Sequence, residues 1–288
     1  LYDKPVTSLL WLPRQNPTAE LTLPEGITSL DFAGIGATSA IRTLHLPASL
    51  EMLYPVYDPD SRLERITVAD GNSRYIAIDG VLYDRDVSTL IFYPPYKPDT
   101  AYTMPDSVVY TCCLEGCWFL EEVTLSGSIS RLTDVCFLNC PNLRSITVGE
   151  GTTSIEKTIA IGTCPVLSLR IPASVRSITT NPLSIDNAPS AVTIYGYTGS
   201  AAEICARDYG YAFVSTGSMA VPGDINGDGT VNTTDARLAL QYAVDKITLE
   251  ETQCIVGDVD GDGIVNTTDA RLILQRAVEK IDRFPIES

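Results

Sequence analysis

Apolar-polar-apolar triplets recur along the first two thirds of the chain at a nearly constant spacing. Leu21-Thr22-Leu23, Leu44-His45-Leu46 and Ile66-Thr67-Val68 lie 23 and 22 residues apart. After an irregular stretch the series resumes as Tyr102-Thr103-Met104, Val123-Thr124-Leu125, Ile146-Thr147-Val148, Leu169-Arg170-Ile171 and Val192-Thr193-Ile194, at intervals of 21, 23, 23 and 23. Alternation with a period of two predicts a short strand at each triplet, its middle residue turned outward. Pro24, Pro47 and Pro172 follow such strands, and apolar residues return at fixed offsets behind them: Ile27 and Leu30, Leu50 and Leu53, Val175 and Ile178. Proline stops a strand because it cannot donate to the ladder. A unit this short cannot bury its own apolar side, so the eight strands are predicted to stack into a solenoid.

The series is interrupted between about 72 and 98, where the chain holds some 13 residues more than one repeat. There Ile76-Ala77-Ile78 and Val81-Leu82-Tyr83 flank Asp79-Gly80, a hairpin signal, and Leu90-Ile91-Phe92-Tyr93 follows. Eight of the fourteen tyrosines fall between Tyr54 and Tyr110. Either they cover a hairpin the solenoid leaves bare, or they form a sticky patch for a glycan or protein. At the other end, about 195–215 reads as a cap, with a helix from Ala201 to Tyr209 entered at Ser200.

The cysteines keep the register. Cys117, Cys140 and Cys164 each stand three residues before the next apolar position (Leu120, Leu143, Leu167), and Cys113 and Cys136 share a slot with Ala160. Small polarisable residues at one slot of stacked coils read as buried free thiols. The spacings Cys113-x3-Cys117 and Cys136-x3-Cys140 would imitate a zinc site only if they converged on one point. This unit of strand, Pro turn, apolar return and Cys resembles the bacterial surface-protein type of leucine-rich repeat over about residues 19–215. The resemblance implies a β-rich leucine-rich-repeat solenoid in residues 1–216, with a short linker at 217–221.

A different repeat occupies 222–288. Asp224-Ile-Asn-Gly-Asp-Gly-Thr-Val-Asn-Thr-Thr-Asp returns 34 residues later at Asp258, and 18 of the 24 positions from each first Asp are identical. Hard Ca²⁺ takes six to eight oxygens, and a twelve-residue loop supplies them from positions 1, 3, 5, 7, 9 and 12, position 7 through its carbonyl. Those residues are Asp224, Asn226, Asp228, Thr230, Asn232 and Asp235, then Asp258, Asp260, Asp262, Ile264, Asn266 and Asp269. Gly229 and Gly263 supply the sharp turn at position 6. Two Ca²⁺ are expected. Position 12 is Asp rather than Glu, there is little room for an entering helix, and each loop runs into a following helix, read as Ala236 to Lys246 and Ala270 to Ile281. Leu238, Val244, Leu272 and Val278 recur there at helical spacing, and Thr248-Leu249-Glu250-Glu251 reads as the capping box of a middle helix.

Duplicated loop-helix units of this kind resemble a dockerin, the small α-helical calcium module that plugs proteins into cohesin modules of a scaffold or cell-surface protein. The resemblance implies cohesin contacts at Thr233, Thr234, Arg237, Leu240 and Gln241 and at Thr267, Thr268, Arg271, Leu274 and Gln275. The alternative for Leu240 and Leu274 is a place in the core, and for the threonine pairs ordinary helix-start bonding. Because the two sets are identical, cohesin binding in two orientations about 180° apart is expected, biased by the differing pairs Ala239/Ile273, Tyr242/Arg276 and Asp245/Glu279.

Charge and composition narrow the remaining possibilities. A net charge of −16 without a Lys/Arg cluster disfavours nucleic acid and anionic membrane as partners, and no apolar run reaches the roughly 18–20 residues of a membrane span. The chain opens Leu1-Tyr2-Asp3, without Met or an apolar leader, as a processed or trimmed chain would. Millimolar Ca²⁺ is found outside cells, so an extracellular, scaffold- or surface-attached protein is expected. His45 is the only histidine and takes an outward strand slot, there is no Gly-x-Ser-x-Gly, and a non-catalytic component is expected whose repeats bind an unidentified ligand. The alternative is a dockerin-borne enzyme or enzyme inhibitor acting from the repeat face or the tyrosine-rich insert.

Overall fold

The computed structural model describes residues 3, 7–9, 18–32, 40–54, 61–112, 114–134, 136–185, 189–218 and 221–287. It divides into two compact units, Leu1–Gly196 with Ala201–Val214, and Tyr197–Ser200 with Ser215–Ser288.

The first unit is a solenoid of parallel ladders. β1 (Ser8–Leu9), β3 (Ser29–Asp31) and β5 (Met52–Tyr54) form one, and β2 (Glu20–Thr22), β4 (Thr43–Leu46) and β6 (Arg65–Val68) another. Beyond the insert a six-stranded sheet runs β10 (Ala101–Thr103), β13 (Glu122–Thr124), β16 (Ser145–Thr147), β19 (Ser168–Arg170), β22 (Thr193–Thr198), β23 (Ala212–Ser218). Two further ladders turn the coil: β14 (Arg131–Leu132), β17 (Ser154–Ile155) and β20 (Ser177–Ile178), then β12 (Leu114–Glu115), β15 (Phe137–Leu138), β18 (Ala160–Gly162) and β21 (Leu183–Ile185). All eight predicted strands are present, most of them starting one residue before the triplet. Their alternation is as expected: Leu44, Leu46, Val123, Leu125, Ile146, Val148, Leu169 and Ile171 are buried, while the residues between them are not. The side ladders are additional to that reading.

The insert is the expected hairpin. β7 (Tyr75–Ile78) and β8 (Val81–Asp84) are antiparallel. Asp79 and Gly80 have φ of 48° and 80°, the left-handed pair that a two-residue hairpin turn needs. β9 (Thr89–Phe92) pairs with β8, and β11 (Tyr110–Thr111) pairs in parallel with β9. Val81 and Tyr83 enter one buried apolar cluster and Leu82 a second one. Buried Lys97 pins the turn through Asp79 at 2.9 Å and through Asp99. The tyrosines divide between the two readings: Tyr83 and Tyr93 are buried, Tyr54 and Tyr110 exposed, and Tyr57 lies outside the described residues.

Cys117, Cys140 and Cys164 stack as buried thiols. The Cys140 backbone N–H donates to Cys164 Sγ at 3.3 Å, and Cys140 Sγ reaches the Leu114 carbonyl at 3.4 Å. Cys113 lies outside the described residues. One register assignment is corrected: Leu167 is exposed, and Val166, one residue earlier, fills the slot held by Leu120 and Leu143. The turn after Cys164 is tighter, with Val166 N–H donating to the Cys164 carbonyl at 2.8 Å. α1 (Ala201–Tyr209) is the expected cap helix. β23 continues to Ser218 and takes in the first two residues read as linker, while Met219 and Ala220 lie outside the described residues.

The second unit holds α2 (Thr233–Ala243), α3 (Glu251–Gly257) and α4 (Thr267–Ala277) around Ile225, Ala236, Ala239, Val259, Val265, Ala270, Ile273 and Phe284. α2 and α4 begin three residues earlier than the sequence reading placed them, because the loop ends serve as helix caps. Asn232 Oδ1 accepts from Thr234 N–H at 2.7 Å, Asn266 Oδ1 from Thr268 N–H at 2.6 Å, and Asp235 and Asp269 reach back to close capping boxes. The middle helix is also corrected. Its N-cap is Glu250 rather than Thr248, and the Gln253 side chain accepts from the cap N–H at 2.9 Å.

Candidate calcium loops and partner-binding face

Each loop is wound around its first carboxylate. Asp224 Oδ1 accepts from the N–H of Gly227 at 2.9 Å and Asp228 at 3.2 Å, and Oδ2 from Gly229 at 2.7 Å. Asp258 repeats this with Gly261 at 2.8 Å, Asp262 at 3.1 Å and Gly263 at 2.9 Å. Gly229 and Gly263, at φ of 88° and 89°, make turns that side chains rarely adopt. At position 12, Asp235 accepts from Asn226 and Asn232, and Asp269 from Val259, Asp260 and Asn266. Both side chains are fully buried. Burial, with the charge of Asp260 beside it, pushes the Asp269 carboxyl above its ordinary range despite three backbone bonds that lower it.

These loops fit a hard cation. Carboxylate oxygens of Asp258, Asp260 and Asp262 lie within 4.8 Å of one another, and among the described residues no Lys or Arg forms an ion pair with either loop. Three converging carboxylates without a counter-charge are what a divalent ion bound through oxygen neutralises. Asp224, Asn226, Asp228, Asn232 and Asp235 supply side-chain oxygens in the first loop, and Asp258, Asp260, Asp262, Asn266 and Asp269 in the second. Thr230 and Ile264 can contribute only carbonyls at position 7.

The two sets of expected partner contacts converge across the α2–α4 pair. Thr233, Arg237 and Leu240 face Thr267, Arg271 and Leu274 around a mostly apolar groove of about 410 Å³, floored by Ala236 and Ala270. Leu240 and Leu274 are 48% and 45% exposed, so they are not core residues. Thr234, Thr268, Gln241 and Gln275 do not line this groove, and the Thr234 and Thr268 amides are taken up by the asparagine caps. The pairs expected to bias two orientations are corrected in part. Ala239 and Ile273 are wholly buried, Tyr242 packs on the core, and Arg276 Nη1 donates to the Asp282 carbonyl. The largest exposed difference is instead Ile264, 66% exposed, opposite Thr230.

Phe284 was not foreseen. It is 2% exposed, and a Cβ on Gly223 would meet its ring at 2.8 Å, so it joins the two ends of the unit. The aromatic of Arg283-Phe284-Pro285, after the mostly exposed stretch 278–283, was the signal available.

Residues 222–278 match the dockerin type I domain, and residues 103–187 match six copies of the BspA-type leucine-rich-repeat region. The chain therefore carries a calcium-binding dockerin type I domain preceded by a BspA-type repeat region. A chain of the complex between the third ScaC cohesin and the ScaB dockerin of Acetivibrio cellulolyticus is 36% identical, with a TM-score of 0.23, covering 24% of this chain and 96% of that one. The pneumococcal vaccine antigen PcpA is 17% identical with a TM-score of 0.40, and the match covers 67% of this chain and 60% of that chain. A leucine-rich-repeat protein of Eubacterium ventriosum is also 17% identical, with a TM-score of 0.40, over 62% of this chain and 63% of that one. No curated protein matches the chain. No helix among the described residues is long and apolar enough to cross a membrane.

Proposed function

We propose that this chain, a BspA-type repeat region joined to a dockerin type I domain, is an extracellular, non-catalytic component of a cellulosome-type assembly. Its dockerin binds a cohesin module of a scaffold or cell-surface protein, and its repeats present a recognition surface for a protein, cell-surface or glycan ligand. The observation that carries the reading is the groove: Thr233, Arg237 and Leu240 meet their duplicates Thr267, Arg271 and Leu274 on an exposed apolar face. Such a face on a small domain is an interaction site rather than a core.

Two Ca²⁺, one per loop, hold the helices whose first turns carry the contact threonines. In each loop the position-12 Asp is at once an expected ligand and the third residue of the exit helix. Filling the loop thereby fixes the N-terminus of α2 or α4 and the groove between them. That His45 lies in an open strand row, its Nδ1 2.7 Å from Thr67 Oγ1, supports a recognition surface more than a catalytic cleft.

Pull-down of the full chain with a panel of cohesin modules, in Ca²⁺ and in EDTA, tests the first half of the reading. Retention by at least one cohesin only with Ca²⁺ is expected, and failure with every cohesin in Ca²⁺ would overturn it. Incubation with plant polysaccharides tests the second half, for which binding without release of soluble sugar is expected.

A further inference from the structure

Among the described residues, one side of the solenoid beyond the insert is open. The coil carrying β10 and β12 is joined to the next by β10–β13 and by β12–β15. Between those two ladders, however, among the described residues β11 pairs only with β9 and β14 only with β17. The cause is length. Three positions separate Thr111 from Leu114, whereas five separate Leu132 from Phe137, Ile155 from Ala160 and Ile178 from Leu183. This is the 21-residue interval, where those that follow it are all of 23. A coil two residues short cannot keep all three sides in register, and the middle ladder fails.

What remains is a groove of about 580 Å³ lined by residues 109–111 and 128–134 together with Cys136. Its floor is apolar, with Ile129, Leu132 and Cys136 all buried. Its walls are strand edges. In a parallel pair only alternate residues bond to a given neighbour. Ser130 and Leu132 turn to β17, their carbonyls accepting from Thr153 at 2.7 Å and Glu156 at 2.8 Å. The N–H and C=O of Arg131 and the N–H of Thr133 therefore point into the groove. On the other wall Tyr110 and Cys112 donate to Ser88 at 3.1 Å and Leu90 at 3.0 Å, which leaves the backbone of Thr111 on the groove side. The rim carries one unneutralised acid: Arg131 is held by two 2.7 Å bonds to Glu156, while Asp134 is exposed and, among the described residues, in no ion pair.

We propose that this groove takes an extended, basic peptide segment of another protein, which adds as a short strand to the free edge of β14. Unpaired edges recruit strands through main-chain bonds. One aliphatic side chain of the segment covers Ile129 and Leu132, Tyr110, 70% exposed, closes over it, and flanking Lys residues answer the rim and the −16 charge of the chain. The site is independent of the dockerin.

The test uses fluorescein-labelled Lys-Thr-Val-Thr-Val-Thr-Lys amide and the full chain, read by fluorescence anisotropy. Saturable binding is expected. Arg131→Pro removes one groove-facing N–H and leaves the β14–β17 bonds of Ser130 and Leu132 intact, so it should weaken binding about tenfold, the effect of one backbone bond. Arg131→Ala keeps the N–H and should change affinity less than about threefold. A probe N-methylated at alternate amides should fail on the unaltered protein, a result that does not depend on the folding of a variant. No saturable binding, equal loss with Pro and Ala, or tolerance of N-methylation in both alternating sets would each overturn the proposal. So would self-association that Arg131→Pro abolishes, since that would give the groove to a second copy.

Discussion

At the scale of single residues, burial decides which groups can react. Contact with Cys117 and burial hold the Cys140 thiol well above its ordinary value, and burial pushes Cys205 from 9.0 up to about 12. A thiol whose folded pKa is raised keeps its proton after the unfolded chain has lost its own. Its contribution is fully present below about pH 9 and is lost as pH rises toward the folded value. The repeat unit should therefore lose about 1.4 kcal/mol per pH unit for each such thiol above pH 9. Thermal melts at pH 8 and 10.5 check this, and Cys205→Ala should flatten the dependence. The loops differ at single residues too: Asp260 stands where the first loop has Asn226. The extra carboxylate should make the second site tighter, to be read by calorimetry on Asp235→Ala and Asp269→Ala proteins, each retaining one loop. Equal affinities would contradict it.

At the scale of elements, Leu240 and Leu274 test the groove cleanly because neither supports the core. The expected result is that Leu240→Asp or Leu274→Asp alone weakens cohesin capture modestly, since the other half of the duplicated face remains. The pair together should abolish capture while the melting temperature moves by less than about 3 °C, as surface substitutions change stability little. Loss of helical signal in the double variant would instead make them structural. Elements also show how far the chain could be read in advance. Strands such as Val123-Thr124-Leu125 were legible because one buried face imposes strict alternation. β14, β17 and β20 were not, because two residues are too few to show a period. The helix starts were misplaced because Asn232 and Asp235 serve two structures at once, a cation loop and an N-cap, and the ligand pattern hides the capping pattern. The Val166 slot was missed because Leu167 offers a larger apolar residue one position on, and only the tightened turn at Cys164 decides between them.

At the scale of the whole molecule, each unit has its own core. The dockerin core holds eight buried residues among those described, two isoleucines, two valines, one phenylalanine and three alanines, which is little for a domain this small. Its seven loop aspartates repel one another without a cation. Free Ca²⁺ a thousandfold above Kd adds roughly 4 kcal/mol per site if only the folded form binds, comparable to the whole stability of such a domain. EDTA should therefore abolish most of the helical circular dichroism while the near-ultraviolet signal of the repeat tyrosines persists, and retention of the full helical signal would refute it. The unit boundaries were legible only approximately, because β23 carries the repeat ladder past the point where the apolar series ends.

β8 sends Val81 and Tyr83 into one apolar cluster and Leu82 into the other. In a uniform repeat array each coil leans on the next, so fraying at one end can travel coil by coil. Here the hairpin works as a bulkhead. Coils before it and coils after it hold separate buried clusters that share one wall. A nick ahead of residue 75 should therefore leave amides of the later coils protected from hydrogen exchange, and loss of that protection would count against the shared wall.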